Sequence, residues 1–401
     1  MAHRFASLCS ASLLLLGATF VWIAPSAARG KAPCEFDSRT GELLVGPLDH
    51  DNVLVRPRGR HILVDRQTCG ATVRNTDSIR IVGGNAATFL FHKGFLEPGR
   101  TPEPDGSPEI EIDLGGFRGT FWMRTPAGDD TIVAGSRGID VNGDGDVDLI
   151  RGAIRGMRFV TRGGADEVST VGGHGTGEPV ANIPVRVDAG PGRDRVTFGA
   201  GQDAALFGGR GDDRAVSSDA EFGFLVGGAG DDVLIGGSGA ESIYPGFGAD
   251  VVRAMGGDDA VSQLEKGDES DVFSGGAGVD ELVYGGEQVF GRYAVSFDGI
   301  ANDGERGEDD DVASDFEIVR GSRGPDALAG DGRGTTFFGG AGNDDISGGS
   351  GRDRLFGGPG DDVFHATDGQ VDRIWGGKHE DTALDRDDVD RVRDVEILER
   401  R

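Results

Sequence analysis

In the segment GGAGDDVLIGGSGAESI, residues 227–243, Asp232 and Glu241 stand nine residues apart, each followed two positions later by an apolar residue, Leu234 and Ile243. Carboxylates that converge on one cleft do acid–base work, whereas carboxylates that recur along an edge gather hard cations. These recur. Asp250 and Asp259 keep the nine-residue step, and Asp271 and Asp280 resume it after a three-residue slip. Upstream, Asp194 and Asp203 are nine apart, with Asp213 close behind. A second series carries Asp326, Thr335, Asp344, Asp353 and Asp362, continued by Asp372, Asp381 and Asp390, and looser copies fall at Asp130 and Asp166.

The elements that must position these acids follow from the unit G-G-x-G-x-D-x-U-x, with U apolar. Glycines at positions one, two and four permit a tight turn, the acid at position six closes it, and the residue at position eight starts a short inward-facing strand. Two units make a coil of about 18 residues. Stacked coils place Asp232 over Asp250 on one edge and Glu241 over Asp259 on the other, while Asp326, Asp344 and Asp362 share an edge. Leu328, Ile346 and Phe364 should face inward on one sheet, Phe337 and Leu355 on the other. The expected fold is all-β, a parallel β-roll or β-helix solenoid.

Composition agrees. Glycine fills 72 of 401 positions without a G-X-Y triplet, which excludes collagen. Acids outnumber bases 69 to 40, a net charge of −29, which argues against nucleic acid or an anionic membrane as partner and for cations. Stacked acids at the strand spacing of about 4.8 Å repel by roughly 1–3 kcal/mol per pair, so the coils cannot close on carboxylates alone. A cation between coils removes the conflict, and carboxylates with backbone carbonyls suit Ca²⁺ better than Mg²⁺ or zinc.

The units GGAGDDVLI, GGAGNDDIS, GGSGRDRLF and GGPGDDVFH resemble the RTX, or haemolysin-type, calcium-binding nonapeptide, which forms a parallel β-roll. The resemblance covers about half the chain, mainly 186–283 and 321–383. It implies several Ca²⁺ ions held by turn carbonyls and sixth-position acids, here Asp194, Asp203, Asp213, Asp232, Asp250, Asp259, Asp271, Asp280, Asp326, Asp344, Asp353, Asp362, Asp372 and Asp381. Thr335 and Glu241 depart from the pattern, as do Lys266 and Arg333 at position four, and whether those repeats bind metal stays open. RTX toxins and proteases typically leave the cell without an amino-terminal signal. This chain reads as having one, and it lacks an apolar segment suited to pore formation.

A second calcium-like spacing occurs in DVNGDGDVD, where Asp140, Asn142, Asp144 and Asp146 follow a D-x-[DN]-x-D-G pattern. Arg151 stands where an EF-hand needs an acid, so the expectation is a calcium loop without that fold, or a polar turn.

The organisation expected is a signal peptide over 1–28, a β-rich amino-terminal segment over 29–109, a first β-roll array over 110–283, an acidic non-repeat excursion over 284–320, and a second array with a carboxyl-terminal cap over 321–401. Export to an oxidising exterior would make Cys34 and Cys69 disulfide partners. No H-E-x-x-H or G-x-S-x-G occurs, the histidines are scattered, and Trp122 and Trp375 read as strand or coil packing, so no catalytic residue is assigned. The expected role is a secreted calcium-binding repeat protein that folds on binding, structural or adhesive, with an extracellular surface or polysaccharide as a candidate partner and no nucleic acid or membrane insertion. The alternative is a carbohydrate-active β-helix enzyme, a polysaccharide lyase or epimerase.

Overall fold

The apolar residue two after each acid sits at the middle of a short strand. Val233–Ile235 and Val251–Arg253 each turn one side chain, Leu234 and Val252, into the core and two outward. A computed structural model describes residues 34–48, 53–58, 60–74, 76, 78–83, 86–90, 111–117, 119–141, 147–150, 154–173, 175–180, 182–199, 203–218, 222–264, 269–285 and 290–398. Among them there is no α-helix, and no helix is long and apolar enough to cross a membrane. The signal-peptide expectation, the loop at 97–109, and Asn142, Asp144 and Asp146 lie outside the described residues.

Successive strands alternate between two sheets that enclose one narrow core. The first sheet runs by parallel pairing from Thr131–Ala134 through Glu167–Ser169, Arg195–Phe198, Arg214–Ser217, Val233–Ile235, Val251–Arg253 and Val272–Ser274 to Asp311–Val312. The second runs in parallel from Ala86–Leu90 through Phe222–Ala229, Ala240–Phe247, Ala260–Gln263 and Glu281–Tyr284 to Arg391–Arg393. The expected inward residues are buried and in register. Leu328 pairs Ile346 and Ile346 pairs Phe364 on one sheet, and Phe337 pairs Leu355 on the other.

At the amino-terminal end the pairing turns antiparallel. Cys34–Asp37 folds back on Glu42–Leu48, and Val53–Arg58, His61–Val64 and Gln67–Thr72 form a meander. Cys34 and Cys69 are joined there, with Cα atoms 5.8 Å apart. Glu42–Leu48 pairs Ser78–Gly83, which pairs Glu111–Gly116, so the sheets continue across residue 110 without a break.

Residues 284–320 do more than leave the stack. The second sheet passes straight through them, with Glu281–Tyr284 paired to Ile318–Arg320. On the opposite side the first sheet ends at Asp311–Val312, and a third begins at Gly304–Glu305, antiparallel to Tyr293–Ser296, and runs in parallel from there through Ala327–Ala329 to Ile397–Leu398. Buried Tyr284 marks this seam, its ring 5.1 Å from that of Tyr293 and its hydroxyl donating to Asp310 Oδ2 at 2.8 Å.

Candidate metal centre

Position six of each repeat lies where a turn meets a strand, and its carboxyl is drawn inward. The backbone N–H of each acid donates to Oδ1 of the acid one coil later. Asp194 donates to Asp213 at 2.8 Å, Asp213 to Asp232 at 2.7 Å, Asp232 to Asp250 at 2.8 Å, and Asp250 to Asp271 at 2.8 Å. Asp130 and Asp166 begin this ladder, and Asp310 ends it by accepting from Asp271. A second ladder, along the second sheet, links Glu241, Asp259, Asp280 and Glu317, and then Thr335, Asp353, Asp372 and Asp390. A third links Asp326, Asp344, Asp362, Asp381 and Glu396. The contacts are the same whether the coil is 18, 19, 21 or 39 residues long, so the turn geometry, not the chain length between turns, sets the ladder.

The other carboxyl oxygen has a different fate. Oδ2 of Asp194, Asp213, Asp232, Asp259, Asp280, Asp344, Asp353, Asp362, Asp372 and Asp381 is buried without a hydrogen-bond partner. In the repeats of Asp213, Asp232, Asp280, Asp344, Asp353, Asp362 and Asp381 it points at the glycine in position one, whereas Ala189, Ala254 and Thr367 stand at that position before Asp194, Asp259 and Asp372. A Cβ on Gly227 would strike Asp232 Oδ2 and the carbonyl oxygen of Pro245 in the next coil, and one on Gly357 would strike Asp362 Oδ2 and the Gly376 carbonyl oxygen. The same pair of oxygens, Oδ2 and the next coil's position-one carbonyl, meets over Gly208 and Gly321. Glycine at position one therefore keeps open a space lined by oxygens. Gly228 and Gly230 serve the turn itself, with φ of 128° and 126°, where a side chain is strained.

Burial decides the electrostatics. It is the largest cause raising these carboxyls, opposed by the donated backbone N–H, with neighbouring acids adding a smaller push. Asp232 is pushed up to about 8, Asp213, Asp344 and Asp353 to about 7, and Asp259, Asp280, Asp362 and Asp372 to about 6. Sequence spacing placed mutual repulsion first. The structure places desolvation first, because the ladder N–H groups already hold Oδ1 and each rung buries its carboxyl in a pocket of backbone. Among the described residues no three Asp, Glu, His or Cys side chains gather as a metal cage, so any cation must take the rest of its shell from carbonyls.

The remaining expected residues fall as follows. Asp203 opens the strand Asp203–Arg210, exposed and in register with Phe222, and has no place in a ladder. Its nine-residue distance from Asp194 was coincidence, since Asp213 is the next rung. Glu241 fits by curling. Its Oε2 accepts from its own Gly237 N–H at 3.0 Å, burial pushes it up to about 7, and Gly223, one coil earlier, leaves room where a Cβ would meet its Cγ. Thr335 is buried in a rung and donates its backbone N–H to Asp353 Oδ1, but offers no carboxyl. Asp140 is buried in the strand Gly138–Asp140, and Asp148 Oδ2 accepts the N–H of Val141 at 2.6 Å, so the two ends of that loop meet in a hairpin.

Sequence reasoning missed Asp310 and Glu317 as rungs, although Val312 and Val319 keep the apolar residue two positions on. It also missed position five, where Asp212, Asp231, Asp258 and Asp361 accept backbone N–H groups from the following coil along the exposed rim.

The family model described as the RTX calcium-binding nonapeptide repeat (four copies) matches residues 223–252 and 338–370, within the stretches that carry the most regular rungs. No curated protein matches the chain as a relative.

Proposed function

We propose, from the RTX calcium-binding repeats that this chain carries, that its ladder acids hold Ca²⁺ and that the roll closes on binding. RTX nonapeptide repeats bind Ca²⁺ in general. The observation that carries the reading to particular residues is the row of buried Oδ2 atoms without hydrogen-bond partners, which at Asp213, Asp232 and Asp362 face the next coil's carbonyl across a space that the position-one glycine leaves open. Asp194, Asp213, Asp232, Asp250, Asp259, Asp271, Asp280, Asp326, Asp344, Asp353, Asp362, Asp372 and Asp381 would supply the carboxylates. Turn carbonyls such as those of Pro245, Gly339 and Gly376 would supply neutral oxygen. An all-oxygen set of modest charge suits Ca²⁺, and its positive charge would offset the desolvation that raises Asp213, Asp232, Asp344 and Asp353. Metal binding then acts as folding free energy. Asp203 is not among the ligands proposed. Asp140 with the loop to Asp146 is a separate proposal, resting on the sequence pattern and on the hairpin that brings its ends together.

The chain is further proposed to be exported by its amino-terminal segment, with Cys34–Cys69 oxidised, and to serve structurally or adhesively outside the cell. A loop of that length contributes about 4 kcal/mol by restricting the unfolded chain. No catalytic role is assigned, because the carboxylates follow the repeat and do not converge. The test is a calcium titration of residues 29–401 after chelation, followed by far-UV circular dichroism. A cooperative rise in β signal that magnesium does not reproduce is expected, and a chain folded in chelator and indifferent to calcium would overturn the reading.

A further inference from the structure

In its last coils the outer face of the second sheet reverses the character of the chain. Arg354 and Phe356 flank inward Leu355, and Arg373 and Trp375 flank inward Ile374. The arginines are register partners, Arg354 with Arg373 and Arg373 with Arg391, and so are Phe338, Phe356 and Trp375. The rings stack, Phe338 on Phe356 with centroids 4.7 Å apart and Phe356 on Trp375 at 4.4 Å, while the Arg320 guanidinium lies 4.0 Å over Phe338.

Three earlier arginines on this face are neutralised. Arg158 and Arg186 both bond Asp188, and Arg320 bonds Glu281. Arg354, Arg373 and Arg391 are exposed, and none of their guanidinium groups has an ion-pair or hydrogen-bond partner among the described residues. Like charges directly opposite on strands about 4.8 Å apart destabilise a sheet. In a chain with 69 acids to 40 bases, three such arginines in succession call for an anion from outside.

We infer that this stripe binds a linear anionic glycan, carboxylate- or sulfate-bearing, laid along the stack of coils. Guanidinium groups pair such anions bidentately, and a row of them at one spacing suits a polymer over a single ion. Phe338 is covered by Arg320 and Phe356, and Phe356 by Phe338 and Trp375, so these two rings offer their edges. Those edges are the positive part of the ring and suit hydroxyl and carboxylate oxygens. Of the three rings only Trp375 has a face without a ring or guanidinium over it, so successive nucleic-acid bases have no run of faces to stack on. A second copy or an anionic membrane would bring a broad negative surface against a chain of charge −29, whereas a slender polymer touches only the stripe.

The inference deepens the adhesive part of the proposed function and needs only a folded roll. The test is calorimetric titration of the full chain in saturating calcium with an oligogalacturonate and a sulfated dextran oligomer. A neutral dextran oligomer and oligo-dT serve as comparators, and circular dichroism and light scattering are recorded on the same samples. Salt-sensitive binding of a charged glycan is expected, weakened about tenfold or more in Arg354→Glu/Arg373→Glu with the fold unchanged. The arm that binds identifies carboxylate or sulfate. Should the charge reversal disturb the fold, Arg354→Ala/Arg373→Ala gives the same reading. Charged glycans binding no better than the neutral one, binding untouched by the substitutions, tighter binding of oligo-dT, or self-association abolished by the substitutions would each overturn it. A chain folded in chelator would sink the calcium reading alone and leave this test intact.

Discussion

Asp232→Asn should stabilise the roll without calcium and weaken it with calcium. Asp232 is fully buried, its Oδ1 accepts the Asp213 N–H at 2.7 Å, and its Oδ2 lies beside the space over Gly227. Burial lifts the carboxyl from 3.8 to about 8, with Asp250, Asp213 and Asp212 adding to the lift and the Asp213 N–H opposing it. At about pH 7 the unfolded chain carries this group ionised and the metal-free folded chain carries it protonated. Folding must therefore take up a proton, at a cost on the order of 4 kcal/mol. Asparagine keeps the oxygen that Asp213 needs, removes the charge, and turns an amide N–H toward the Pro245 carbonyl. In chelator the variant should gain up to about that amount, less whatever neighbouring rungs already relax. In calcium the sign should invert, because the rung has lost its anionic ligand. Urea unfolding in calcium, and the pH at which β signal returns in chelator, both followed by far-UV circular dichroism, measure the two. A variant that is destabilised in chelator, or shifted equally in both conditions, would refute the placing of a buried charge and a cation at this rung.

The same raised carboxyls give the metal-free chain a pH dependence. Their folded values, about 6 to 8, lie above the ordinary 3.8, so the folded state binds more protons and its stability falls as pH rises through that window. In chelator, acidification from about pH 8 to pH 5 should restore β signal, and a flat or falling signal would count against it. Gly357→Ala should place a methyl against Asp362 Oδ2 and the Gly376 carbonyl, cost about 1–3 kcal/mol, and raise the calcium midpoint of circular dichroism. Tyr284→Phe leaves Asp310 Oδ2 without its buried donor at the seam and should cost about 1–3 kcal/mol by urea unfolding in calcium.

Much of this molecule is legible from period alone, because a nine-residue unit with one apolar residue leaves only one register that buries it. Leu328, Ile346, Phe364, Phe337 and Leu355 are inward for that reason. The rungs Asp232 with Asp250 and Asp326 with Asp344 follow from the same count. Counting fails where coil length varies. Asp203 satisfied the spacing and lies on the surface, while Asp310 and Glu317 broke the spacing and are rungs, because the turn recognises the acid and the apolar residue after it and ignores the distance between turns. Which oxygen is satisfied and which is left over was invisible to the sequence, since that depends on a backbone N–H from a different coil.

The direction of those N–H bonds has a consequence for how the molecule can vary in length. Each coil is incomplete until its successor supplies the Oδ1 that its own backbone requires, as Asp213 waits on Asp232 and Asp344 on Asp362. Removing or duplicating a whole coil inside a run therefore changes the number of rungs but leaves every remaining junction of the same kind. Only the final rungs, which Glu396 closes for Asp381 and Asp390 for Asp372, must be kept or replaced. Shortening such a chain from its carboxyl end should shift where the last junction lies without dissolving the coils before it, so the molecule's reach can be adjusted one coil at a time.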